Sequence, residues 1–113
     1  MFDLSIADGR TVFEPGESIE LTAQWSFDEN VESVELRLVW FTRGKGDTDV
    51  SVVERVPLEF PSMSDTRQVT LQLPMAPYSF SGKLISLCWS IELVADGNKA
   101  SHRLDITIAP GAR

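Results

Sequence analysis

The single histidine, His102, is the one side chain here whose ordinary titration range suits a general base at neutral pH. It stands between Ser101 and Arg103. Nucleophilic catalysis needs a serine or cysteine held against such a base, and an acid that orients the base. No spacing in the chain sets up that arrangement, and the G-x-S-x-G turn of a hydrolase is absent. The one cysteine, Cys88, falls in the outward phase of an alternating run, where a lone thiol reads as a small packing residue. The expectation is a protein that is not an enzyme and uses no cofactor.

Oxygen ligands are the other chemistry on offer. If each strand crosses the fold once, one end gathers the loops around Asp28, Asp65 and Asp96, with Glu29, Asn30 and Asn98 beside them. Carboxylates and amides converging from several loops are what Ca²⁺ requires. Asp, Asn and Gly are also the usual turn formers, and no dense D-x-D run appears among these loops. A Ca²⁺- or small-ligand-binding module built on Asp28, Asp65 and Asp96 is therefore the alternative reading. At the other end, Gly44-Lys45-Gly46-Asp47-Thr48-Asp49 has a G-K pair but lacks the P-loop spacing. It reads as a solvated loop with a local Lys45–Asp47 balance.

These residues must be placed by strands. Val34 to Trp40 alternates, with Glu35 and Arg37 between apolar neighbours, until Val39, Trp40 and Phe41 become apolar on both faces. Phe2 to Ile6, Ile19 to Trp25, Val69 to Leu73, Ile85 to Leu93 and Leu104 to Ile108 alternate as well. Val50 to Leu58 is rich in β-branched residues, but Glu54 falls in phase with Val50, Val52 and Val56. That predicts an edge strand or a bulge. Pro15-Gly16, Asp96-Gly97 and the prolines at 57, 61, 74 and 110 punctuate these runs. The pattern predicts an all-β fold, a seven-stranded antiparallel sandwich, in one domain over residues 1–113. Trp25, Trp40 and Trp89 share the inward phase, and with Leu36, Leu38, Leu71, Leu87, Ile91 and Ile106 they are the expected core.

The chain carries 10 Lys and Arg against 17 Asp and Glu, for a net charge of −7. Nucleic acid and anionic membrane both need a basic footprint, so neither is an expected partner. One cysteine excludes an intrachain disulfide. The first residues, MFDLSIADGR, have neither the basic start nor the apolar run of a signal peptide. No stretch approaches the ~20 apolar residues of a membrane span. A cytoplasmic location is the expectation.

Two motifs carry a resemblance. Phe13-Glu14-Pro15-Gly16-Glu17 leads into the Ile19 run, and Pro77-Tyr78-Ser79-Phe80-Ser81-Gly82 leads into the Ile85 run. In this the chain resembles one lobe of an arrestin-like β-sandwich, where a PGE-type turn and a P-x-S-F-x-G loop precede strands at comparable places. Arrestins have two such lobes. The resemblance implies an immunoglobulin-like sandwich that serves as a protein-interaction scaffold, without enzymatic activity.

In such sandwiches the third and sixth strands are neighbours. Their outward phases here hold Val39 and Phe41 on one, and Leu84, Ser86 and Cys88 on the other. Contiguous exposed apolar residues mark a contact site. Val39, Phe41, Leu84 and Cys88 are thus the expected surface for a protein partner or for self-association. The competing expectation is that the Pro74 to Gly82 loop folds over this strip, with Tyr78 or Phe80 as its cover.

Overall fold

Alternation alone builds most of the fold. The computed structural model describes residues 1–44, 48–82, 84–96 and 100–111. Among them are nine strands and no helix: β1 (Phe2–Ile6), β2 (Val12–Phe13), β3 (Ser18–Ser26), β4 (Val34–Gly44), β5 (Val50–Pro57), β6 (Ser64–Gln72), β7 (Phe80–Ser81), β8 (Ile85–Ala95) and β9 (Ala100–Ile108). The seven expected strands are all present. The two additional ones, β2 and β7, span two residues each, too short for any periodicity to reveal.

A three-stranded sheet, ordered β1-β3-β6, faces a six-stranded sheet, ordered β2-β9-β8-β4-β5 with β7 also paired to β8. All ladders are antiparallel except β2–β9, where Val12 and Phe13 run parallel to Thr107 and Ile108. That pair departs from the wholly antiparallel expectation. The third and sixth expected strands, β4 and β8, are neighbours over their full lengths, from Val34↔Ala95 to Gly44↔Ile85.

The core lies between the sheets. Ile19, Leu21, Ala23 and Trp25 of β3 meet Leu36 and Leu38 of β4 and Leu87, Trp89, Ile91 and Leu93 of β8. Trp25 and Trp89 are fully enclosed, and each indole N–H finds a backbone acceptor, Ser62 O at 2.8 Å and Pro77 O at 3.1 Å. A buried indole without such a partner would carry a desolvation cost of ~1–3 kcal/mol. Trp40 differs from expectation. It occupies the inward phase and packs on the core, but is only half-buried. Its ladder neighbours are the enclosed Trp89 on β8 and Ser51 on the edge strand β5.

Strand β5 resolves the misplaced Glu54. The β4–β5 register slips between Leu38 and Val39: Leu38 pairs with Glu54, and Val39 with Val52. Val53 is the extra residue. The bulge turns Val50 and Val52 outward while Glu54 and Val56 keep the inward phase. β5 is also the edge of its sheet, so both alternatives for this segment hold.

The PGE turn before β3 is held from several sides. Gly16 takes φ 78°, a conformation that favours glycine. Its amide donates to Pro74 O, and Leu73 N donates to Glu17 O. The Glu17 carboxylate accepts from Glu14 N and pairs with the Arg10 guanidinium, which lies over the Phe13 ring.

Candidate interaction face and adjoining cleft

On the outer face of the six-stranded sheet, Phe41 sits between Cys88 of β8 and Val50 of β5, and Val39 between Ser90 and Val52. The sequence strip is thus assembled, but its residues are not equally open. Val39 is 3% exposed and Phe41 9%, Cys88 is half-buried, and Leu84 is 67% exposed. The cover over Phe41 is two guanidiniums. Arg43 from the same strand lies 5.1 Å from the ring centre, and Arg103 from β9 lies 5.2 Å from it. Planar cations stack on an aromatic face and lay their apolar stems over it. Arg103 also pairs with Asp105 at 3.3 Å. The apolar groups that stay open beside Phe41 and Val39 are Val50 (65% exposed) and Val52 (36%), while Leu84 lies before β8, against Gly44. Val50 and Val52 were not among the expected surface residues, because without the bulge their phase is that of Glu54.

The Pro74 to Gly82 loop does not lie over this strip. Ser79 N donates to Ile108 O at 2.7 Å, and Ser79 Oγ accepts from Ile108 N at 2.9 Å. Phe80 and Ser81 pair with Leu87 and Ser86. The loop is a wedge in the sheet: β8 pairs with β9 from Trp89 onward and with β7 before it. Where the two partners diverge, a cleft of about 560 Å³ opens, with Arg43, Phe80, Cys88, Trp89, Asp105 and Thr107 among its walls. Tyr78 and Phe80 are each about half exposed.

At the acidic end the carboxylates of Asp65 and Asp96 are engaged. Asp96 accepts from the amides of Glu32 and Ser33 at 2.8 and 2.9 Å and so closes the loop before β4. Asp65 accepts from Thr66 N and pairs with Arg67 at 2.8 Å. These contacts hold the Asp65 carboxyl below its ordinary range: burial pushes it up, and the guanidinium and amide outweigh that push. Among the described residues no three His, Cys, Asp or Glu side chains come together to hold an ion, so Asp28, Asp65 and Asp96 do not converge as expected. Each satisfied carboxylate serves its own loop. Asn98 lies outside the described residues, as does the Lys45–Asp47 pair.

His102 faces β1, with Nε2 at 3.8 Å from Asp3 Oδ1, and links the two sheets at their edge. Arg10 likewise organises a turn. Its amide and guanidinium both donate to Asp8, which lowers the Asp8 pKa, and the hydrogen bond to Glu17 raises that of Arg10. No helix among the described residues is long and apolar enough to cross a membrane.

Two sheets face to face, with β4 and β8 central to the larger one, define a β-sandwich. No protein-family model matches the chain, and no curated protein does. Among solved structures it is similar to Spo0M, a sporulation control protein from Bacillus subtilis, with a TM-score of 0.66 and 15% identity. That likeness covers 95% of this chain and 48% of Spo0M, so the chain spans about half the length of that protein. A β-glucosidase from Listeria innocua aligns with a TM-score of 0.44 and 14% identity, over 96% of this chain and 16% of the enzyme. At such identities the Spo0M likeness speaks to the fold, a β-sandwich.

Proposed function

We propose that the chain is a non-enzymatic interaction or structural module, a single arrestin-like lobe that docks a protein partner or a second copy of itself through the outer face at β4, β5 and β8. The observation that carries the reading is the pairing of exposed Val50 and Val52 beside Phe41 and Val39, on an edge strand. Exposed apolar groups on a contiguous face mark contact surfaces. The PGE turn precedes β3 and the Pro77–Gly82 segment runs up to β8, an order that supports the arrestin-like reading. The likeness to a protein titled a sporulation control protein supports a regulatory rather than a chemical role.

The test is sedimentation of wild type and a Val50→Ser/Val52→Thr variant over a wide concentration range, with a pull-down by each as bait. The reading expects concentration-dependent assembly, or a captured protein, that the variant loses at unchanged melting temperature. A monomeric wild type whose captured set is the same as the variant's overturns it.

A further inference from the structure

The cleft at the β7/β9 divide adjoins the docking face, sharing Arg43 and Cys88 with it, and its lining has a chemistry of its own. Arg43 is exposed and, among the described residues, pairs with no carboxylate; its one named contact is the Phe41 ring. In a chain of net charge −7, a guanidinium on a cleft wall with no carboxylate partner among the described residues is notable. The cleft's own carboxylate, Asp105, is already engaged by Arg103.

Hydroxyl groups supply the remaining polarity. Ser79 Oγ accepts from Ile108 N, which leaves its O–H free to donate. Ser81, Ser86 and Thr107 also line the cleft and donate to no side chain among the described residues. Phe80, about half exposed, is the open apolar wall; Leu87 and Trp89 also line the cleft but are buried. A volume of about 560 Å³ falls in the usual range for small-molecule sites, which are apolar with a few placed polar groups. A guanidinium with nearby hydroxyl donors favours a carboxylate, by charge-assisted hydrogen bonds.

We infer that this cleft binds a small organic carboxylate with a flat apolar body, the carboxylate on Arg43 and the serine hydroxyls and the body against Phe80. Cys88, half-buried in the same cleft and the chain's single thiol, reports occupancy.

The experiment is alkylation of Cys88 by iodoacetamide, a neutral reagent, with the Trp89 indole N–H followed by ¹⁵N NMR as a second readout. The probes are 3-phenylpropanoate, its neutral amide, acetate and inorganic phosphate. Phenylpropanoate is expected to slow alkylation at least fivefold, saturably, and to shift the Trp89 signal; the amide and acetate leave both unchanged. Arg43→Gln loses both effects, and Arg55→Gln, on β5, keeps them. Equal protection by the amide, persistence of protection in Arg43→Gln, or no shift of Trp89 with any probe overturns the inference. Protection by inorganic phosphate equal to that by phenylpropanoate overturns the apolar half of it. If Cys88 resists alkylation in the free protein, the Trp89 signal alone decides among the same outcomes.

Discussion

The indole of Trp89, at the centre of the core, donates its hydrogen bond to the carbonyl of Pro77, in the loop that wedges β7 against β8. One side chain thus fixes both the packing between the sheets and the position of the cleft wall. Trp89→Phe keeps most of the apolar volume and leaves the Pro77 carbonyl without its donor. It is expected to lose ~1–3 kcal/mol, whereas Trp89→Ala should lose ~3–5 kcal/mol. Urea unfolding of both variants checks the order and the gap between them.

Phe41 and Val50 are cross-strand neighbours with opposite exposures, so they should answer differently to the same change. Phe41→Ser empties a site closed by two guanidiniums and should cost roughly 3 kcal/mol. Val50→Ser, on an open edge, should stay within about 0.5 kcal/mol of wild type. Thermal melts of the two single variants, compared at one concentration, are the measurement.

Gly44 is confined by its neighbour strand rather than by a turn. A Cβ there would lie 2.0 Å from the Leu84 carbonyl oxygen, a backbone atom that cannot move aside alone, and φ is 146°. Gly9 has a positive φ, 72°, but open space around it. Gly44→Ala should therefore cost several times what Gly9→Ala costs, the latter being about 1 kcal/mol of backbone strain. Equal losses in chemical denaturation would refute the close approach of β4 to Leu84.

Asp8 and Asp65 both have carboxyl groups held below the ordinary value of 3.8. A carboxylate whose folded pKa is depressed contributes stability in full above its unfolded value, and that contribution is lost as pH falls through the folded value. Stability should accordingly fall in acid below about pH 4. The slope should flatten in Asp65→Asn and again in Asp8→Asn/Asp65→Asn. Melting temperature followed from pH 7 to pH 2 tests this, and a wild-type slope in the double variant counts against both assignments.

Much of this molecule was legible because alternation is a local property. The seven longer strands, the enclosure of Trp25 and Trp89, and the β4–β8 neighbourhood follow from phase and turn chemistry. What escaped depends on distant partners. Phe41 looks exposed until Arg103 is brought over its ring, across an intervening strand. Trp40 looks buried by phase, yet it neighbours the edge strand β5 and is only half-buried. Asp96 looks like a ligand until the amides of Glu32 and Ser33 reach it. The Val50–Val52 face was masked by Glu54, since a bulge leaves no mark in the sequence beyond a broken rhythm. The cleft was invisible because it is made by a two-residue strand.

Glu54 itself has a role that the bulge makes readable. It keeps the inward phase on an edge strand, and on the other sheet's edge strand Asp65 and Arg67 share the phase of the core residues Val69 and Leu71. Charges placed there disfavour pairing with a foreign strand. Glu54→Val should thus raise the sedimentation coefficient at high concentration and hasten aggregation on heating, although it adds apolar surface. A variant as monomeric as wild type would show that the bulge alone guards this edge.

The ladder between β4 and β8 joins Val34 to Ala95 and Gly44 to Ile85. β4 therefore waits for its main partner until the chain has doubled back through β5, β6 and β7. Loop closure of that length must come before any contact rewards it, and folds dominated by such pairings form in milliseconds to seconds rather than microseconds. On a ribosome adding about 5–20 residues each second, β4 emerges seconds before β8 does. During that interval its two-sided apolar end at Val39, Trp40 and Phe41 has only the β5 hairpin for shelter.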